Sequence, residues 1–165
     1  MLMARIALLM SCLALAGCAS YRPLYGDGGA ALNSQLGNIA IEEVDSRAAQ
    51  LVRNDLLLSV KGEASESGYV LSLTPVEKKT KLSSPFGTKL TRLRYTLTMA
   101  YVLRRKGSGS DVLKGTAFSN VSYDVVEQPI ADLQAAENAQ VRASREVAAD
   151  IRLRLATFLS RAASN

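Results

Sequence analysis

The alternation of apolar and polar positions is sharpest between residues 91 and 104. Thr91, Leu93, Tyr95, Leu97, Met99, Tyr101 and Leu103 point one way, and Arg92, Arg94, Thr96, Thr98, Ala100, Val102 and Arg104 point the other. That period of two is the mark of a strand with one buried face. A second such run places Tyr69, Leu71 and Leu73 on one side and continues past Pro75 to Leu82. Proline cannot donate to a ladder, so this strand is expected at an edge or a bulge. Ser83-Ser84-Pro85-Phe86-Gly87 supplies the loop between the two strands. Gly107-Ser108-Gly109-Ser110 supplies a hairpin to a third strand, whose core face carries Leu113, Ala117, Val121 and Tyr123.

Two stretches switch to a helical period. Ser46 is a suitable N-cap for a helix over Arg47 to Lys61, with Ala48, Leu51, Val52, Leu56, Leu58 and Val60 as a wide apolar face and Gly62 as the stop. From Pro129 to about Arg161, the residues Ala136, Gln140, Ala143, Val147, Ile151, Leu155, Phe158 and Ala162 form one continuous stripe. Proline is tolerated in that first turn. Asp150 and Arg154 stand on its flank in the favourable i,i+4 order. A short strand over Asn38 to Val44 precedes the first helix.

The order strand, helix, three strands, helix predicts an α+β fold. Its four-stranded mixed sheet has both helices packed on one face and the other face open, and the first strand and helix make the crossover that a parallel pair requires. Fifteen strand residues from Lys89 to Leu103 would span ~50 Å at ~3.3 Å each. The last helix, ~33 residues at ~1.5 Å each, matches that length, so the domain is expected to be elongated.

Composition adds little until the N-terminus is considered. Arg5 is followed by an apolar and small-residue run from Ile6 to Gly17, too short to span a bilayer and ending in small residues, as secretory signal peptides do. Leu15-Ala16-Gly17-Cys18 resembles the bacterial lipobox, in which the cysteine is acylated and becomes the first residue of the mature chain. The expected organisation is therefore a lipoprotein signal peptide over 1–17, a lipidated tether over 18–36, and a single α+β domain over 37–165. Multiple acyl chains on Cys18 would hold the protein firmly at a membrane. Ala19 stands where an Asp would retain many lipoproteins at the inner membrane, so the periplasmic side of the outer membrane of a Gram-negative bacterium is the expected location.

The same reading narrows the chemistry. The chain has no histidine, and its two cysteines are Cys12, inside the signal, and Cys18. Imidazole- and thiolate-dependent catalysis and most transition-metal sites are thereby excluded. There is no Gly-x-Ser-x-Gly turn either. The protein is expected to be no enzyme and to need no metal or cofactor.

Charge is unevenly placed. Between Pro75 and Lys106 stand nine basic residues, Lys78, Lys79, Lys81, Lys89, Arg92, Arg94, Arg104, Arg105 and Lys106, against the single acid Glu77. Lysines on an edge strand guard against aggregation, which accounts for the group at 78, 79 and 81 as well as ligand binding does. Arg92 and Arg94 lie mid-strand, opposite the core, where a planar fork can grip phosphate or carboxylate. Nucleic acid is not expected as a partner of an exported lipoprotein. The abundant anion at the outer membrane is lipopolysaccharide.

Taken in order, these pieces resemble the LPS-assembly lipoprotein family, LptE, in its alphaproteobacterial form. The carrying segments are Cys18 followed by Tyr21-Arg22-Pro23-Leu24-Tyr25-Gly26, Thr91-Arg92-Leu93 leading into Ala100-Tyr101-Val102-Leu103, Ser122-Tyr123-Asp124, and Ala148-Ala149-Asp150-Ile151-Arg152-Leu153-Arg154-Leu155. The resemblance implies a plug inside the outer-membrane β-barrel LptD, helping that barrel assemble and binding lipopolysaccharide on its way to the outer leaflet. It places the lipid anchor at Cys18 and a lipopolysaccharide contact at Arg92 and Arg94. An auxiliary lipoprotein of a lipid-handling ABC transporter would share the anchor and an α+β domain, and would differ in its partner.

Overall fold

The computed structural model describes residues 36–59, 68–82, 91–125 and 128–162. The signal peptide, Cys18, residues 19–35 of the expected tether, Gly62, the 83–87 loop and Lys89 lie outside the described residues, while Leu36, the last residue of that tether, is buried in the core. Six elements follow in chain order: β1 (Ile39–Ile41), α1 (Arg47–Ser59), β2 (Tyr69–Leu82), β3 (Thr91–Arg105), β4 (Asp111–Val125) and α2 (Pro129–Ala162). The sheet order is β1-β2-β3-β4, with β1 parallel to β2 and the other neighbours antiparallel. This is the expected mixed four-stranded open sheet with two helices.

β1 is shorter than the 38–44 run suggests, and hydrogen bonding explains why. The parallel pairing lasts from Ile39 against Tyr69 to Ile41 against Leu71. The Glu42 amide still donates to the Leu71 carbonyl at 3.0 Å, after which the chain leaves the sheet for α1. Arg53 of α1 donates to the carbonyls of Glu42 (3.1 Å) and Ile41 (3.4 Å). Backbone acceptors at the strand end thus go to the crossover helix rather than to a longer ladder. At the other end of the crossover, the Asn38 side chain accepts from the Gly68 amide and its carbonyl from the Tyr69 amide.

α1 starts where its cap predicts. The Ser46 hydroxyl oxygen accepts from the Ala49 amide at 3.1 Å, satisfying one of the free donors of the first turn. Ala48, Ala49, Val52 and Leu56 are buried, but Leu58 is 79% exposed and Leu57 also faces solvent. The apolar face of α1 is therefore narrower than its composition implies. Its inner surface packs mainly on α2 and, more lightly, on β2, and the last turn reaches beyond that cover.

β3 carries the core. Tyr95, Leu97, Met99, Tyr101 and Leu103 are all buried, together with Leu71 and Leu73 of β2 and Ala117, Val121 and Tyr123 of β4. Gly115 stands directly opposite Tyr101 in the ladder. A Cβ there would come within 2.6 Å of the Tyr101 Cζ, so the glycine is the space the phenol occupies. The hairpin closes with Gly107 (φ 95°) and Gly109 (φ 64°) in the left-handed region that side chains disfavour.

α2 lies on the same face. Ala143, Val147, Ile151 and Leu155 of the predicted stripe are buried, and Ala139, Ser144, Ala148, Ala156 and Leu159 join them. Packing against both the sheet and α1 widens the stripe to a broad, mostly small-residue surface that lets the helix sit close. Arg154 grips Asp150 with two hydrogen bonds of 2.8 and 2.9 Å.

Candidate ligand-binding face

The period of β3 sends Arg92, Arg94, Thr96 and Thr98 to the face opposite the helices. The register then decides their company. Arg92 lies between Leu82 and Asp124, Arg94 between Thr80 and Ser122, Thr96 between Lys78 and Asn120, and Thr98 between Val76 and Phe118. Cross-strand neighbours in such rows are ~5 Å apart, and successive rows on one face ~7 Å apart. Lys78, Arg92 and Arg94 therefore share one end of the open face, the end at which β2 stops and β3 starts. Lys79 and Lys81 stand opposite Tyr95 and Leu93, and so belong to the helix side of β2, where both remain exposed.

The two arginines are not equivalent. Arg92 makes a forked contact with Asp124, Nε to Oδ1 at 2.8 Å and Nη2 to Oδ2 at 3.2 Å. Both side chains are open to water, with relative exposures of 60% and 47%. The hydrogen bond from Arg92 holds the Asp124 carboxyl below its ordinary range, and reciprocally raises the guanidinium. Arg94 is exposed and makes no hydrogen bond or ion pair among the described residues. Lys78 is in the same position. An incoming anion thus meets two open cations and one that is already engaged.

Asp124 is invisible to sequence reasoning because it sits 32 residues from Arg92, and only the β3–β4 register brings them together. Beside the cations lies a second feature not foreseen. Val76 and Phe118 are 63% and 66% exposed, in one cross-strand row with Thr98. The exposed end of the sheet is thus basic, and its middle is apolar. An alternation scan registers Phe118 only as out of phase with Ala117, Val121 and Tyr123.

Arg104, Lys114 and Arg105 are spent on structure. Arg104 donates to Asp111 at 3.0 Å and to the Ser72 hydroxyl at 3.0 Å, and Lys114 pairs with Asp111 at 2.7 Å. Those contacts, Lys114 first, lower the Asp111 carboxyl. Arg105 lies over the Tyr69 ring, 5.6 Å from its centroid.

No protein-family model matches the chain, and no curated protein matches it either. Solved structures do. A candidate lipoprotein from Caulobacter crescentus is 26% identical, with a TM-score of 0.66 over 79% of this chain and 97% of that one. A minor lipoprotein from Acinetobacter baumannii, 15% identical, has a TM-score of 0.55 over 72% of this chain and 88% of that one, which establishes a shared fold. Rare lipoprotein B from Shewanella oneidensis aligns at 17% identity with a TM-score of 0.33, too low to define a common fold. No helix among the described residues is long and apolar enough to cross a membrane. The chain has the fold of bacterial lipoproteins.

Proposed function

We propose that this protein is an outer-membrane lipoprotein of the lipopolysaccharide translocon. Anchored through Cys18, it plugs and helps assemble an LptD-type β-barrel and binds lipopolysaccharide during delivery to the outer leaflet. The observation that carries the reading is the open sheet face, where Arg94 and Lys78 are available beside the exposed row of Val76 and Phe118. A phosphorylated amphiphile matches that pairing. Guanidinium and ammonium groups take the phosphates, and the apolar row takes the beginning of an acyl chain. The lipoprotein neighbours and the Leu-Ala-Gly-Cys segment support the anchor. Arg92 contributes once Asp124 yields, or through its remaining N–H groups.

The test is purification of the tagged, lipidated full chain from an envelope extract. The expected result is a large outer-membrane barrel in the eluate and bound lipopolysaccharide. Lys78→Glu with Arg94→Glu should keep the barrel while lowering lipopolysaccharide binding by about tenfold or more, the worth of one charge-assisted hydrogen bond. A protein that purifies alone, with surface lipopolysaccharide intact after its depletion, would overturn the reading. An inner-membrane ATPase in the eluate would favour the transporter alternative.

A further inference from the structure

The two helices cover the sheet unequally. α2 has 34 residues and α1 has 13, ~50 Å against ~20 Å at ~1.5 Å per residue. Leu133 and Ile151 are five full turns apart and so lie on one line of α2, and Ile130 and Ala148 share a second such line. Ile151 and Ala148 are buried, whereas Leu133 and Ile130 are 62% and 75% exposed. β2 shows the same break on its helix side, where Leu71 and Leu73 are buried and Lys79 and Lys81 are exposed. α1 packs on α2 and β2 at the buried end and stops short of the other.

The two bare stretches line one trough. The Gln140 amide donates to Glu77, which ties α2 to β2 at that level. α2 begins at the end of the sheet where β2 stops, because β4 reaches that end at Val125, opposite Thr91. From Gln140 back to Leu133 is about two turns, ~10 Å, and from Glu77 on to Lys81 is ~13 Å. Leu133 and Lys81 therefore come level on opposite walls, with the half-buried Leu93, opposite Lys81 in the ladder, as the floor. Glu137 stands one turn from Leu133 on the α2 wall. The trough prolongs the line that α1 fills, so it has the width of a helix.

We propose that this trough receives an amphipathic helix of a partner protein. The helix sets an apolar stripe on Ile130, Leu133 and Leu93, acidic residues toward Lys79 and Lys81, and a basic residue toward Glu137. Aliphatic anchors one turn apart, with charges on both flanks, are the features by which a groove selects a helix. Lys79 and Lys81 make no hydrogen bond or ion pair among the described residues, so both are available to it. An anionic lipid is the poorer occupant, because Glu137 would repel its phosphate. The trough lies on the helix side and uses neither Arg94, Lys78 nor Phe118, so it does not depend on the ligand reading.

The test places a photoreactive p-benzoylphenylalanine at Leu133 of the tagged, lipidated full chain. The intact envelope is irradiated and the adduct is mapped by mass spectrometry. The expected adduct lies on a partner segment whose apolar residues recur every three and four positions beside Asp or Glu. Lys79→Glu with Lys81→Glu should lower its yield about tenfold, because two favourable ion pairs become repulsive. Lys79→Arg with Lys81→Arg should keep the yield. The same probe at Thr116, on the open face, should not give that adduct. An adduct to the chain's own residues 83–90, to lipid or to a segment without that pattern would overturn the proposal, and so would no adduct at all. Lipopolysaccharide binding should be unchanged in the charge-reversed variant, so the two readings fail separately.

Discussion

The two sides of β3 obey different physics although they are made from alternate residues of one strand. Toward the helices, Tyr95, Leu97, Met99, Tyr101 and Leu103 lose nearly all contact with water. Each such side chain contributes about 1.5–3 kcal/mol of transfer free energy, and together they leave the strand no other orientation. Toward solvent, Arg92 pairs with Asp124, Thr96 with Asn120 and Arg104 with Asp111, all at exposed positions. Contacts of that kind contribute little to stability, because water competes for every group. The buried side specifies the fold, and the open side is left free to meet something else.

The comparison is broken most severely on the buried side. Leu97→Ala should destabilise the domain by about 2–5 kcal/mol, combining lost transfer energy with a cavity that close packing cannot collapse. Thr98→Ala, its neighbour on the open face, should lie within ~0.5 kcal/mol of the parent. Urea midpoints of the two variants measure the contrast directly. Equal losses would mean that the open face is covered in the folded protein.

Gly115→Ala comes next. The new methyl would meet the Tyr101 ring, which is itself fully packed, so a loss of about 1–3 kcal/mol is expected. Gly115→Ala combined with Tyr101→Leu should recover part of that loss, since the smaller side chain vacates the space. Thermal melts of the single and double variants decide it, and the absence of any recovery would show that backbone conformation at 115, not the ring, demands glycine.

Tyr95 tests the boundary between the two regimes, since it is a buried ring with a polar tip. Its hydroxyl donates to Glu77 at 2.6 Å, and Gln140 of α2 donates to the same carboxylate oxygen at 3.1 Å. Burial first, and the Glu77 contact second, push the Tyr95 phenol well above its ordinary value. The unfolded phenol ionises near ~10 while the folded one stays neutral. This group's contribution is thus complete below ~10 and is lost as pH rises through the folded value. Tyr95→Phe should cost about 1 kcal/mol at neutral pH through the lost hydrogen bond, and should make the decline in stability above pH ~10 shallower. An unchanged alkaline decline would assign it to other groups.

The difference between the faces also explains what was legible in the sequence. Burial imposes a period, and a period is local. Leu93 to Leu103, Ser46 as cap, the Gly107–Ser110 hairpin and the Asp150–Arg154 pair all depend on neighbours within a few positions, and each is found where the pattern puts it. β1 stops early because Arg53, twelve residues on, takes its last carbonyls, and Leu58 is exposed because nothing among the described residues packs over that turn. The open face was legible as two arginines, but not as a site. Lys78 comes to lie one row from Arg94, Asp124 reaches Arg92, and Val76 lines up with Phe118 only through strand register, which no local period encodes. Cys18 and residues 19–35 that follow it, the part most informative in the sequence, lie outside the described residues.

The smallest expected effect separates structure from binding most cleanly. Asp124 is exposed and held below the ordinary carboxylate range by its hydrogen bond to Arg92. A depressed carboxyl supports the fold fully above its unfolded value of ~3.9, and that support disappears as pH falls through the folded value. Water screens the pair on this face, so the acid limb should be slight. Asp124→Asn removes the carboxylate, so neutral-pH melting should not change resolvably and the slight acid dependence should vanish. The same substitution releases the Arg92 fork beside Arg94 and Lys78. If the face binds phosphorylated lipid, lipopolysaccharide affinity should therefore rise in Asp124→Asn while the melt stays flat. A flat melt with weaker binding would show that Asp124 positions Arg92 for the ligand instead of competing with it.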